Sequence, residues 1–185
     1  MAKLHPEIDP EMAAWIAAQP LFFVASAPLA ADGHVNCSPR GLDTFRVLGP
    51  HHVAWLDLTG SGNETAAHLA ENGRITLMFC AFAGRPRILR LFGRGEVALP
   101  GSAEFARLRG HFPADLPGVR QIIHVAVSRI QTSCGFGVPL MAFAAQRDDL
   151  AAWAERKGED GLVRYRRERN ARSIDGLAAP LGDDR

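Results

Sequence analysis

From residue 21 to residue 132 the chain breaks into short apolar runs, most of them joined by turns of hairpin length, and this spacing rules out most architectures. The runs are 21–27, 34–39, 45–48, 52–58, 74–82, 87–98 and 121–132. Ala31-Asp32-Gly33, Gly49-Pro50 and Ala83-Gly84-Arg85-Pro86 punctuate them with residues that favour turns. Parallel strands need long crossovers, and such short links leave no room for them. The expected fold is mainly β with flanking helices, its antiparallel sheet closed into a barrel.

A chain of 185 residues fits one domain, spanning 1–185, and is large enough to bury a core without staples. Hydrophobic content of 47% with 22% charge is that of a folded globular protein, and a net charge of +1 gives no general pull toward nucleic acid or anionic membrane. Cys37, Cys80 and Cys134 are odd in number and lack a Cys-x-x-Cys spacing, which argues against a disulfide framework or zinc site and for a reducing cytoplasm. Residues 12–31 are nearly uncharged, yet Pro20 and Pro28 would break a spanning helix, and Glu7, Asp9 and Glu11 stand where a secretory signal needs positive charge. A soluble chain is expected, with no membrane partner.

Asp9-Pro10 pairs an N-cap with a first-turn proline and predicts a helix over about 9–18, ended by Gln19-Pro20. A second helix is expected near 102–109. The C-terminal extension, about 147–170, reads as two helices, 148–157 and 162–170. The last is rich in arginine (Arg164, Arg166, Arg167, Arg169) but interleaved with Glu155, Glu159, Asp160 and Glu168, and no aromatic platform accompanies it. That pattern predicts a solvated face and no nucleic-acid partner.

Chemistry concentrates where Asp57-Leu58-Thr59-Gly60-Ser61-Gly62-Asn63-Glu64-Thr65 leads from an apolar strand into a short helix closed by Asn72-Gly73. Glycine lets backbone approach a ligand, a helix start offers unpaired N–H groups, and Ser61, Asn63 and Thr65 add side-chain donors: together they suit a phosphate. The same residues also spell a plain capping box, Ser61-x-x-Glu64. Arg40, fixed by Pro39 and followed by Gly41, either aims its fork at an anion or sits in a surface turn. Alternation along 87–92 places Ile88, Arg90 and Phe92 on one face, where Arg90 needs an anionic or aromatic ligand, or an ion pair with Asp43, Asp57 or Glu96. The histidines form no ligand cluster, no metal is expected, and a Gly-x-Ser-x-Gly elbow is absent. Cys134 reads as a packed free thiol without a feature that would lower its pKa.

In order and spacing these pieces resemble the pyridoxamine 5'-phosphate oxidase-like FMN-binding split barrels. The resemblance is carried by Asn36-Cys37-Ser38-Pro39-Arg40-Gly41, Trp55-Leu56-Asp57, Gly60 to Ala66, Asn72 to Phe79, Arg87 to Glu96 and Ser173-Ile174-Asp175-Gly176-Leu177. It implies a six-stranded split barrel, a homodimer, and FMN in a groove at the subunit interface. It places Ser38, Pro39 and Arg40 where the second strand meets the flavin and its phosphate, and Leu56 and Asp57 beside the ring. Asn63 and Thr65 fall at the phosphate, beside Ser61 and Gly62 of the loop already read as suited to one, Ile88 and Arg90 on a strand whose inward side chains approach the ring, and Ser133 and Cys134 near a tryptophan position of the true oxidases. The oxidases' Ser-Arg-Lys cluster is Asn63-Glu64-Thr65 here, the tyrosine of their substrate helix is missing from 103–109, and no Arg-Leu-His follows Ser133. The resemblance therefore implies FMN binding and an FMN-dependent oxidoreductase of unknown substrate, these departures speaking against pyridoxamine 5'-phosphate. A non-catalytic flavin- or tetrapyrrole-binding module and a deazaflavin-using relative are the alternatives.

Overall fold

A computed structural model describes residues 2–181. Eight strands and four helices follow one another as β1 (Lys3–His5), α1 (Pro10–Ala17), β2 (Phe22–Ser26), β3 (Asn36–Arg40), β4 (Phe45–Gly49), β5 (His52–Leu58), α2 (Glu64–Asn72), β6 (Arg74–Cys80), β7 (Ile88–Ala98), α3 (Ala103–Arg109), β8 (Val119–Ser133) and α4 (Asp149–Arg169). The strands form one antiparallel sheet in the order β3-β2-β6-β7-β8-β5-β4, with β1 added to β8.

Eight strands stand where the resemblance implies six. The eighth, β1, follows from the length of β8: β5 pairs only with residues 119–126 of it, and Lys3–His5 covers the free edge at Ile130 to Thr132. The terminal strands β3 and β4 are not paired with each other, yet their ends of the sheet meet through the core. Phe22 of β2 lies 4.8 Å, ring to ring, from Phe45 of β4, and both contact Phe79 of β6. The barrel thus closes by aromatic packing on one side and by backbone ladders elsewhere. Its interior is Val24, Trp55, Leu77, Leu89, Leu91, Ile123, Val125 and Ile130, with Met12 and Ile16 of α1 capping one end.

Local chemistry sets the helix boundaries. Asp9 Oδ1 accepts from Met12 N at 2.7 Å, and Ser102 Oγ accepts from Phe105 N at 3.1 Å, as N-caps do. Gly73, at φ 71°, closes α2 in the left-handed conformation that costs glycine nothing. The two C-terminal helices abut as one element broken at Gly158, φ 65°. Their basic face is not solvated throughout: Arg166 is buried, donating from Nε to Thr59 Oγ1 and from Nη2 to the Val119 carbonyl, both at 2.9 Å.

Between β8 and α4 a strap without regular structure crosses the surface. Met141 N donates to the Phe82 carbonyl (2.8 Å) and Gln146 Nε2 to the Pro20 carbonyl (2.9 Å), while Phe136, Leu140, Met141 and Phe143 remain largely exposed. Among the described residues no helix is long and apolar enough to cross a membrane.

Candidate functional site

The strand β5 is buried from Val53 to Asp57, so it carries a carboxylate into the interior at its end. Arg120 of β8 meets it: Nε and Nη2 donate to Asp57 Oδ2 at 3.1 and 2.7 Å, and Gln121 Nε2 donates to the same oxygen at 2.8 Å. Burial pushes the Asp57 carboxyl up, but the Arg120 charge, joined by that of Arg40, outweighs burial and holds it below the usual carboxylate range. Asp57 is therefore an ionised structural hub.

The same cluster shapes the glycine-rich loop. Arg120 Nη1 donates to the Gly62 carbonyl (2.9 Å) and to Asn170 Oδ1 (2.7 Å), and Asn170 Nδ2 donates to the Gly60 carbonyl (3.1 Å). With its carbonyls bound by interior donors, the loop leads into α2 at Asn63, whose side chain makes no cap bond to the helix. The first-turn N–H groups of α2 thus stay available. The capping box does not form. Glu64 instead turns to the C-terminal segment, where both carboxylate oxygens accept from Ile174 N at 3.0 and 3.2 Å. Its carboxylate is thereby held toward the C-terminal segment rather than bonded to the helix's own first-turn N–H groups.

Alternation in β3 sends Asn36, Ser38 and Arg40 toward α2 and leaves Cys37 and Pro39 exposed. Asn36 is the joint: its Nδ2 donates to Thr65 Oγ1 (3.1 Å) and its Oδ1 accepts from Ser38 Oγ (2.9 Å). Behind it, Ser26 Oγ lies 2.9 Å from Nδ1 of the buried His68. Arg40 Nε stands 3.5 Å from Asp57 Oδ1. Two buried donors here make no hydrogen bond among the described residues, Asn63 Nδ2 and Arg40 Nε, the latter held only by that long ion pair. Beside them opens a cleft of about 520 Å³ lined by Pro39, Arg40, Leu56, Leu58 and Gly60.

The structure thus gathers Ser38, Arg40, Asp57, Asn63 and Thr65 around the start of α2, with Leu56 and Pro39 on the adjoining cleft and the exposed Ser61 and half-buried Gly62 in the loop. It does not bring the other four candidates there. Leu89 and Leu91 of β7 point into the barrel, so Ile88 and Arg90 lie on its outer face, contrary to an inward approach. Arg90 Nη1 donates to Ser133 Oγ at 3.3 Å rather than pairing with a carboxylate, and Ile88 pairs with Ser133 across the ladder. Cys134 is exposed, not packed, and its thiol is lowered from the usual range chiefly by the Phe136 backbone N–H. Register aligns Pro39, Phe23, Met78, Arg90 and Gln131 across five strands of this outer face.

Arg120, Gln121, Arg166 and Asn170 are absent from the sequence-based candidates although they build the loop. The available signal was a charged and an amide residue directly before Ile122-Ile123, in a strand too apolar to leave them solvated.

The family model described as pyridoxamine 5'-phosphate oxidase matches residues 8–134, more than half of the chain. The chain belongs to the pyridoxamine 5'-phosphate oxidase family. Its relatives include the pyridoxamine 5'-phosphate oxidase family protein ustO of Aspergillus flavus, 40% identical over 197 residues that take in 96% of this chain and 77% of that protein. Among solved structures, HupZ of Group A Streptococcus (H111A form) is 23% identical, with TM-score 0.52 over 68% of this chain and 99% of its own. A putative pyridoxamine 5'-phosphate oxidase of Lactobacillus delbrueckii is 14% identical, with TM-score 0.53 over 69% of this chain and 98% of its own. These two share the fold. Within this pyridoxamine 5'-phosphate oxidase family member the matched segment ends at Cys134, so the exposed strap and α4, which with its C-cap supplies Arg166 and Asn170 to the loop, lie beyond it.

Proposed function

We propose that the protein is an FMN-dependent oxidoreductase that works as a homodimer. One observation carries the cofactor: the inward face of β3 converges on the first turn of α2, where Asn63 Nδ2 is a buried donor without a hydrogen bond and Arg40 Nε has only a long, 3.5 Å ion pair with Asp57. A phosphate monoester supplies oxygens for both donors and for the α2 N–H groups, and its charge suits the positive end of the helix. The apolar wall of the adjoining cleft, Leu56, Leu58 and Pro39, suits a flat ring. When bound, the flavin supplies hydride transfer. The protein's part is to hold the phosphate with Arg40, Thr65 and backbone N–H groups, to fix the loop through Arg120 and Asn170, and to cover the ring with aliphatic side chains.

The test is affinity for FMN against riboflavin, with flavin content of the purified protein. FMN is expected to bind tighter by roughly 1.5–3 kcal/mol per charge-assisted hydrogen bond lost with the phosphate. Equal affinities would remove the phosphate role of the loop, and a Soret band in place of a flavin spectrum would replace the flavin by a tetrapyrrole. Arg40→Ala should lower flavin content, with Arg40→Lys recovering part of it, and leave the melting temperature of the flavin-free protein near that of the parent. A large loss of melting temperature in the flavin-free variant would make Arg40 structural instead.

Support for the dimer comes from apolar surface that one chain leaves open: Phe23, Met78 and Phe92 on the outer face, all partly exposed, and the strap with Phe136 and Leu140. A dimer also gives Ile88, Arg90 and Ser133 a way to serve the partner's cleft. Light scattering should return about twice the 20.0 kDa chain mass, and removal of FMN should loosen the assembly. A monodisperse monomer retaining stoichiometric FMN would show that one chain builds the whole site.

A further inference from the structure

A second cleft, about 770 Å³, lies beside the cofactor cleft and has no part in holding the phosphate. The two share Pro20, Leu42, Phe143 and Gln146, so a molecule in the larger one abuts whatever fills the smaller. Its walls are aromatic and sulfur-bearing: Trp15 from α1, Phe82 from the end of the β6 ladder, and Met141 and Phe143 from the strap. A volume of this size takes a ligand of one or two rings.

Its charge is one-sided. The charged residues lining it are Asp43, Arg85 and Arg87. Asp43 is already spent, since Arg46 Nη1 and Nη2 donate to its two oxygens at 2.6 and 2.9 Å and hold its carboxyl below the usual range. Arg87 rests over the Trp15 ring, 5.1 Å from guanidinium carbon to centroid, and its nearest carboxylate, on the exposed Glu11, is 4.0 Å away. Arg85 stands exposed in the turn between β6 and β7. The cleft therefore offers a flat apolar wall ending in two arginines whose charge no carboxylate of the cleft satisfies. Leu42, on the boundary between the two clefts, is held at φ 63°, the single non-glycine residue with positive φ among those described. A leucine tolerates that conformation poorly, and such positions gather at ligand sites.

We propose that this cleft binds a planar aromatic carboxylate, its ring against Trp15 and Phe143 and its carboxylate on Arg85 and Arg87. Guanidinium forks match a carboxylate in two hydrogen bonds, and stacked aromatic walls select a flat body over a flexible chain. The role of that molecule as substrate rests on the flavin reading given above, whereas its binding does not.

The full-length protein, both flavin-loaded and flavin-stripped, is titrated calorimetrically with 2-naphthoate, the neutral 2-naphthamide and 2-naphthyl phosphate. Naphthoate should bind both forms, at least tenfold tighter than the amide, and should perturb the visible flavin band of the loaded form. Arg85→Ala and Arg87→Gln should each weaken naphthoate several-fold, leave the amide unchanged, and leave flavin content unchanged. Equal affinity for naphthoate and naphthamide, or no binding of either, overturns the proposal, and tighter binding of naphthyl phosphate than of naphthoate overturns the choice of a carboxylate. Binding without any change in the flavin band overturns the substrate role. A chain that takes up no flavin refutes the flavin reading alone, because naphthoate binding is scored on the stripped protein.

Discussion

Arg120→Ala is expected to cost about 3–5 kcal/mol, because it strands the Asp57 carboxylate in the interior and unties the loop before α2 in one step. Asp57 is 2% exposed, and Arg120 supplies two of its three hydrogen bonds from neighbouring side chains. The Gly62 carbonyl and Asn170 lose their donor at the same time. Urea unfolding of the variant and parent measures the cost, and a difference below about 1 kcal/mol would mean that water or a rearranged Arg40 takes over the role. The same pair gives stability an acid limit. Asp57 has a folded pKa below its unfolded one, so its contribution is present above the unfolded value, near 3.8, and is lost as pH falls through the folded one. Asp57→Asn should flatten this acid limb while lowering stability at neutral pH, since Arg120 then becomes the buried charge lacking a counter-ion.

The sheet was legible because hairpin turns leave little freedom: the runs expected at 52–58, 74–82 and 87–98 are strands within two residues at each end. Helix α1 was legible from Asp9-Pro10 and the end of α2 from Asn72-Gly73, where local hydrogen bonding decides the boundary. Strand β1 was not, since three residues carry no period and Lys3–His5 is extended only because β8 outruns β5. The capping box failed for a comparable reason. Ser61-x-x-Glu64 is a local pattern, but Glu64 finds the Ile174 N–H, 110 residues further on, and tertiary contact outweighs local preference. Arg120 shows the limit most clearly. Its partner Asp57 stands in a strand next in space, and a register of Asp57 against Gln121 cannot be read from either segment alone. Residues that read as one site, Arg40 and Arg90, proved to lie on opposite faces of the sheet, because the face of each depends on strand register rather than on distance along the chain.

Asn36→Asp should cut the preference for FMN over riboflavin roughly ten- to a hundredfold while leaving riboflavin binding roughly unchanged. Asn36 faces two hydroxyls with opposite groups: its amide nitrogen donates to Thr65 Oγ1, and its carbonyl oxygen accepts from Ser38 Oγ. Thr65, having accepted, keeps its proton for a ligand at the start of α2, whereas Ser38 has already given its proton away. A carboxylate at position 36 accepts from both, so the Thr65 proton turns inward and a negative charge arrives beside the proposed phosphate. Loss of one charge-assisted bond is worth about 1.5–3 kcal/mol, or roughly ten- to a hundredfold in FMN affinity. Riboflavin has no phosphate to notice either change. If FMN and riboflavin weaken together, Asn36 serves only to pin β3 to α2, and the hydroxyl of Thr65 does not read the phosphate.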